Sequence, residues 1–451
     1  MSPHKQKTSR RLTLSALAII GGLFCSGAAS AQQQINYTPE YDAAFKAMLS
    51  DPGNLDKTFA FASEAIKAGD LEGAVAALER MLFINPNLPR IQLELGALYF
   101  RLGSFEAARA YFLTVKDDPN APAEVKSKVD AFLAEIDNRQ KRHKWSGSLF
   151  AGIRWQSNAN TASADGVVSV QGVASTLDSQ FTQKRDWNAF AALSVKHTYQ
   201  MDPAQPDTWD TSVTIFGSRQ MRQETVDVTL GEITTGPSLK IFPGNDYDLT
   251  FRPYGLITYV AINDVRDFFA PGAGASLSAT LDPLTLAELT TEWRDKRYRD
   301  SFKSPTKSDR DGIERALRAR IVRVINQDLS LNLGGSLTKQ ETQADSQGNF
   351  EYAWTFGAAW NFDSLIDGTM PRWTLIGSVT RAFTPYETPD ATINANVTRF
   401  DKDWRFSLTQ AVPLNKDWTA IAMLARTIRT SSLPNYQYTN NALTLGVSYR
   451  F

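Results

Sequence analysis

From Trp145 to the end of the chain, apolar and polar residues alternate, the two-residue period of strands with unlike faces. The last segment is the cleanest. Leu443, Leu445, Val447, Tyr449 and Phe451 share one face, and Thr444, Gly446, Ser448 and Arg450 the other. Leu329, Leu331, Leu333 and Leu337 alternate in the same way with Ser330, Asn332, Gly334, Ser336 and Thr338. Tyr352, Trp354, Phe356, Ala358, Trp360 and Phe362 alternate with Ala353, Thr355, Gly357 and Asn361, and Leu249 to Ala261 follow the rule again. The pattern predicts fourteen strands, starting near residues 145, 187, 209, 227, 247, 268, 284, 313, 329, 352, 373, 403, 418 and 441.

Connections after even-numbered strands are mostly turn-like: 242–246, Asp282-Pro283, 326–328 and 413–417. Several after odd-numbered strands are long and polar, such as 157–185, 295–311 and 384–402. All ten tryptophans lie beyond residue 144, most at strand ends (Trp145, Trp155, Trp187, Trp209, Trp293, Trp360, Trp373, Trp404 and Trp418). Indoles at both ends of strands are what an aromatic girdle at two membrane interfaces requires. A soluble β-sandwich or propeller would explain the alternation but neither the tryptophans nor the loop asymmetry. The expected fold is therefore a 14-stranded antiparallel transmembrane β-barrel over 143–451. An even strand count places Phe451 on the side of the preceding domain, and the expected location is the outer membrane, with that domain and the C-terminus in the periplasm. Phe451 and Tyr449, closing the last strand, resemble the signal read by the barrel-insertion machinery, an expected partner beside outer-membrane lipid.

Between residues 32 and 142 the period is helical. Pro52 and Pro86, each in a turn, are 34 residues apart, the period of the tetratricopeptide repeat. Leu95-Gly96 followed by Tyr99, and Ala108 followed by Phe112, match the first-helix and second-helix patterns of that repeat. Gly69-Asp70, Ala74 and Leu78 stand one period earlier. Gln92 replaces the usual Trp, and Pro119 falls one residue early. About two repeats are covered, with a leading half-repeat (Tyr41 to Met48) and a capping helix from about Ala121 to Arg142. Most apolar positions are helix core. Phe59, Arg90 and Phe100 are the candidates for a cargo-binding inner face.

Residues 1–31 read as a signal peptide. Lys5, Lys7, Arg10 and Arg11 precede an apolar stretch from Leu12 to Phe24, and Ala29-Ser30-Ala31 offers a small-residue cleavage site. Ser9-Arg10-Arg11 resembles a twin-arginine signal, but that route carries folded cargo and a barrel crosses unfolded. Cys25 is the only cysteine, and bulky Phe24 before it argues against lipidation. Removing the segment turns a balance of 48 basic and 48 acidic residues into 44 against 48, a net charge of −4. That balance points away from nucleic acid. Beyond residue 31 no apolar run reaches the roughly 18 residues of a membrane helix, whereas a barrel strand needs only about 9–11.

No catalytic, metal or cofactor set stands out. Without cysteine in the mature chain, and with only His143 and His197 left, thiolate and imidazole metal sites lose their ligands. A Ser-His hydrolase centred on His197 has no identifiable acid partner, and Walker, dinucleotide and calcium-loop patterns are missing. The chain does not read as an enzyme. The polar candidates are charges near the seventh and eighth strands. Arg318 and Arg320 share a parity and, since a mid-membrane lipid-facing arginine is costly, should face the lumen with Glu288 and Glu292. They form either a salt-bridge network that holds the barrel shape or a basic pathway for acidic cargo.

Few families join a signal peptide, tetratricopeptide repeats and a C-terminal barrel. This chain resembles the surface lipoprotein assembly modulators, the Slam family, whose barrel is fourteen-stranded. Trp155-Gln156-Ser157-Asn158-Ala159-Asn160 resembles that family's first-strand ending, and Asn435-Tyr436-Gln437-Tyr438 leading to Phe451 resembles its last strand. The resemblance implies export or display of lipoproteins or related secreted proteins. The repeats would engage protein cargo or a periplasmic chaperone, and a monomeric barrel would serve as conduit. An exopolysaccharide export porin would be expected to carry many more repeats; a passive porin with a periplasmic adaptor domain is the third reading.

Overall fold

A computed structural model describes residues 37–119, 121–202, 205–241, 248–301, 305–366 and 371–451. The expected signal peptide and the 242–246 turn lie outside the described residues. The rest falls into two compact units that divide between Lys141 and Arg142.

The first unit is helical: α1 (Pro39–Ser50), α2 (Leu55–Ala68), α3 (Leu71–Ile84), α4 (Pro89–Arg101), α5 (Phe105–Asp117) and α6 (Ala123–Gln140). α2 and α4 start 34 residues apart, as do α3 and α5, so the proline period is the period of the helical pairs. Helix α2 ends on Gly69 in the left-handed region, φ 85°. Asp70 then caps α3 by accepting from the Gly73 amide at 2.9 Å. Gly96 is where the repeat pattern does its physical work. A Cβ there would stand 2.5 Å from the Phe112 ring, so only glycine lets α4 close on α5. Two apolar cores result. Phe61, Ala65, Leu78, Met81 and Leu95 join α1 to α4; Phe112, Val115, Val129, Leu133 and Ile136 join α5 to the capping α6.

The second unit is a closed barrel of fourteen antiparallel strands. They are β1 (His143–Gln156), β4 (Asp186–Gln200), β5 (Thr208–Gln220), β6 (Val228–Ile241), β7 (Asp248–Ile262), β8 (Val265–Asp282) and β9 (Thr285–Tyr298), followed by β10 (Gly312–Val324), β11 (Leu329–Gln340), β12 (Asn349–Phe362), β13 (Trp373–Pro385), β14 (Phe400–Pro413), β15 (Trp418–Ser431) and β16 (Tyr438–Arg450). A short hairpin, β2 (Val167–Val170) with β3 (Val173–Thr176), lies in the first long loop. Every expected strand is present, in order. β1 pairs with β4 on one side and with β16 on the other, from Ser148↔Arg450 to Gln156↔Ala442. Closure leaves no unpaired edge, which lipid would not tolerate. Phe451 extends the seam through Gly147 N–H to Phe451 O at 2.8 Å and Phe451 N–H to Gly147 O at 3.1 Å.

Parity sorts the wall. Leu289, Leu317, Ile321, Leu333, Leu337, Phe356, Phe406, Leu408, Leu424 and Leu445 are all exposed on the outward face. By register, all ten tryptophans share that face. Trp145, Trp209, Trp360, Trp373 and Trp418 lie in the strand halves nearer the short turns, and Trp155, Trp187, Trp293, Trp354 and Trp404 in the halves nearer the long loops. Trp145 and Trp155 are ten residues apart, about 33 Å of strand. Tilted by about 40°, that spans about 25 Å, the height of an apolar membrane band.

Candidate conduit and repeat face

The inner wall of the barrel carries three kinds of surface. An apolar patch of Phe190, Phe216, Leu230, Val260 and Phe268, with Phe150 and Tyr298 against it, lines one side near the long loops.

A charged network crosses five consecutive strands from β6 to β10. Arg294 is its centre, 2.8 Å from Glu292, 3.2 Å from Glu232 and 3.6 Å from Glu314. Lys296 pairs with Glu314, and Arg318 reaches Glu292 at 2.5 Å. The Tyr254 hydroxyl donates to Glu292 at 2.9 Å and that of Thr258 to Glu232 at 2.8 Å. Gly274 makes room, since a Cβ there would meet the Tyr254 ring at 2.6 Å. Three carboxylates thus face three cations, so the cluster is neutral and cross-links strands. Of the residues marked in the sequence, Arg318 and Glu292 are brought together. Arg320 and Glu288 stand opposite each other in register, without an ion pair between them among the described residues. Glu232, Tyr254, Arg294, Lys296 and Glu314 complete the network.

A second charged cluster, not singled out from the sequence, sits at the long-loop end of β14 and β15. Arg429 binds Asp403 through two bonds of 2.6 Å, and Arg399 binds Asp401 at 2.5 Å. All four are nearly inaccessible, and the Arg399 guanidinium lies between the Tyr386 and Tyr436 rings. The sequence signal was Asp401, Asp403 and Arg405 alternating with Lys402, Trp404 and Phe406; the partner on β15 was not visible in it. A third row, Thr444, Arg154, Asn188 and Gln220, faces inward on β16, β1, β4 and β5. Its Oγ1, Nε, amide atoms and Oε1 respectively have no hydrogen-bond partner among the described residues. Such buried groups are ordinarily satisfied by ordered water.

The Ser157-Asn158-Ala159-Asn160 segment is a clasp. Asn158, fully buried, donates to Ala162 O and accepts from Ala162 N–H, both at 3.0 Å. Its own N–H donates to Asn440 Oδ1 at 3.0 Å. Asn160 donates to Thr182 O and accepts from Lys184 N–H, both at 2.9 Å. The β2–β3 hairpin is tied onward: Ser169 N–H to Asn435 Oδ1 at 2.8 Å, and Gly172 N–H to Ile393 O at 2.7 Å. Three long-end loops therefore form one hydrogen-bonded cluster.

In the helical unit Phe59 is 38% exposed on α2. Arg90 is exposed and lines a groove between α4 and α6 with Asn87, Leu93, Glu94, Val125 and Lys128. Phe100 is half-buried, its ring 5.6 Å from Phe105 and 5.5 Å from Phe132, and serves packing. The most exposed aromatic is Phe83 at 89%, on α3, which the sequence reading passed over as helix core. Two tyrosines are held neutral. Burial, then the hydrogen bond to Asp70, pushes Tyr41 up to about 12. The hydrogen bond to Glu79, then burial, does the same for Tyr99, also to about 12.

His143 and His197 stack, with Nδ1 and Nε2 3.0 Å apart, so the partner of His197 is the other histidine. Among the described residues no group of three or more His, Cys, Asp or Glu side chains could hold a metal ion.

The tetratricopeptide repeat family matches residues 65–130. No curated protein sequence matches the chain. Among solved structures, the chain is similar to the outer membrane channel DcaP of Acinetobacter baumannii, with 10% identity and a TM-score of 0.37, covering 68% of this chain and 97% of that one. It is similar to an anion-selective porin from Comamonas acidovorans, at 7% identity and a TM-score of 0.35, covering 68% and 99%. A bacterial polysaccharide outer membrane secretin follows at 10% identity and a TM-score of 0.34, covering 68% and 98%. The chain's own closed fourteen-stranded barrel follows a tetratricopeptide-repeat region.

Proposed function

We propose that this protein is an outer-membrane export component that moves or displays proteins, lipoproteins or related secreted chains, at the cell surface. The observation that carries the reading is the union, in one chain, of a tetratricopeptide-repeat region with exposed aromatic and basic side chains and a closed barrel. A pore for passive diffusion has no use for a peptide-binding scaffold. Repeats of this kind hold extended segments on side chains left uncovered by helix packing, and Phe59, Phe83 and Arg90 offer that surface. The repeats stand in the periplasm, reached through the signal peptide of residues 1–31, and engage cargo or its chaperone. The wall from 143 to 451 is inserted by the barrel-insertion machinery acting on Tyr449 and Phe451.

The neutral lumenal network, including Glu292 and Arg318, cross-links the wall. Catalysis has no part in this reading.

Deleting the gene and comparing the surface-exposed and secreted proteomes tests the proposal. Loss of one or a few displayed proteins is expected, and restoration by the wild-type chain but not by a Phe83→Ser/Arg90→Glu variant. An unchanged proteome would sink protein export. Large steady ion conductance of the wild type in planar bilayers would favour a passive porin.

A further inference from the structure

Basic side chains on the outward face of the barrel strands fall into two groups. Arg219, Arg297, Arg315, Arg323 and Lys339 each hold a carboxylate: Asp264, Asp295, Glu341, Asp282 and Glu387 respectively. Arg381, Lys402 and Arg426 have none within 4.0 Å among the described residues. These three gather on adjacent strands. Register places Arg381 beside Trp404 and Phe383 beside Lys402, between β13 and β14, and Phe406 beside Arg426, between β14 and β15. All share the parity of exposed Phe406, Leu408 and Leu424.

The cations are also positioned. The Arg381 guanidinium lies 4.6 Å from the Phe383 ring and 4.7 Å from the Trp404 ring. Lys402 Nζ stands 5.2 Å from the Phe400 ring, and Lys402 and Arg426 are exposed. Beside them the wall continues as bare hydrocarbon through Leu408 and Leu424. Arg381 is level with the girdle residue Trp404 and Lys402 lies nearer the long loops, a depth at which lipid headgroups sit, so three unpaired cations in one patch are placed to meet an anion supplied from outside the chain.

We infer that this face of β13–β15 binds a phosphorylated, multiply acylated lipid. Its phosphate sits among Arg381, Lys402 and Arg426, and its acyl chains lie along Phe406, Leu408 and Leu424. Arginine fits phosphate through its planar fork of donors, and the apolar strip beside the cations suits an amphiphile better than a free ion. The inference rests on the barrel spanning a bilayer.

The test uses the full chain in phosphatidylcholine vesicles containing either a bis-phosphorylated, hexa-acylated disaccharide lipid or its dephosphorylated counterpart. After detergent extraction, native mass spectrometry counts retained lipid. Wild type should retain the phosphorylated lipid and not the dephosphorylated one. The Arg381→Gln/Lys402→Gln/Arg426→Gln variant should bind it about a hundredfold more weakly, at about fivefold per cation. Arg315→Gln/Lys339→Gln, which removes paired cations, should retain it unchanged. Equal retention by the triple variant, equal retention of the dephosphorylated lipid, or displacement by millimolar inorganic phosphate would overturn the site. Heat-modifiable gel mobility of each variant reports barrel insertion separately, so failure of the membrane reading is distinguishable from failure of the lipid site.

Discussion

Glu292 is the residue on which the lumenal network can be taken apart. It accepts from Arg294 at 2.8 Å, from Arg318 at 2.5 Å and from Tyr254 at 2.9 Å. Its two cationic partners differ in exposure: the Arg294 side chain is 12% accessible and that of Arg318 46%, against 11% for Glu292 itself. Breaking one side of a buried pair costs about 3–5 kcal/mol, and an exposed pair is worth about 0–1 kcal/mol. Arg294 keeps Glu232 and Glu314 when Glu292 is neutralised, so its coupling to Glu292 should fall to about 2 kcal/mol. The coupling to Arg318 should stay below about 1 kcal/mol. Two double-mutant cycles, Glu292→Gln with Arg294→Gln and Glu292→Gln with Arg318→Gln, measure these values by urea unfolding of the full chain in vesicles. Tryptophan fluorescence reads the barrel alone, because every tryptophan lies beyond residue 144. Equal couplings, or a larger one for Arg318, would refute burial as the source of the difference.

Gly96→Ala should destabilise the repeat unit by about 1 kcal/mol, an overpacking cost of about 2 kcal/mol against Phe112 less about 1 kcal/mol of helix propensity. Thermal melts at 222 nm check this, and Phe112→Leu in the same chain should relieve the clash. Asn158→Ala removes the clasp on the first long loop and should raise proteolysis between residues 165 and 178, with gel mobility of the barrel unchanged. In the repeat unit, Tyr41 and Tyr99 ionise near pH 12 when folded and near their ordinary value of 10.0 when unfolded. Their stabilisation is therefore complete below pH 10 and is lost as pH rises towards 12. Stability of the helical signal followed across that window should fall, and Tyr41→Phe/Tyr99→Phe should flatten the fall.

The barrel was legible because lipid imposes a rule on every second residue, and the rule survives in a single strand read alone. β16 shows it from Leu443 to Phe451, and β12 from Tyr352 to Phe362. The helical pairs were legible because Gly96 and Phe112 answer one physical demand, close approach of two helices. Lumenal partnership was less so. Arg318 and Glu292 lie on strands adjacent in the sequence, but Glu232 reaches Arg294 from a strand 62 residues away, and no local pattern announces that. Asp403 and Arg429 lie on adjacent strands, 26 residues apart like Glu292 and Arg318, and alternation alone did not single that pair out. The β2–β3 hairpin is short and has no lipid face, so its alternation carried no signal above that of a polar loop. Phe83 looked like core because helical spacing marks a face without saying which faces find a neighbour.

The whole account depends on Leu408 meeting lipid and Ser407, the next residue, meeting the lumen. Single cysteines at these positions, in a chain with Cys25 replaced by serine, can carry a small environment-sensitive fluorophore in reconstituted vesicles. The account predicts quenching of the Leu408 label by lipids brominated along their acyl chains, and of the Ser407 label by aqueous iodide. Both labels quenched by iodide alone would contradict it.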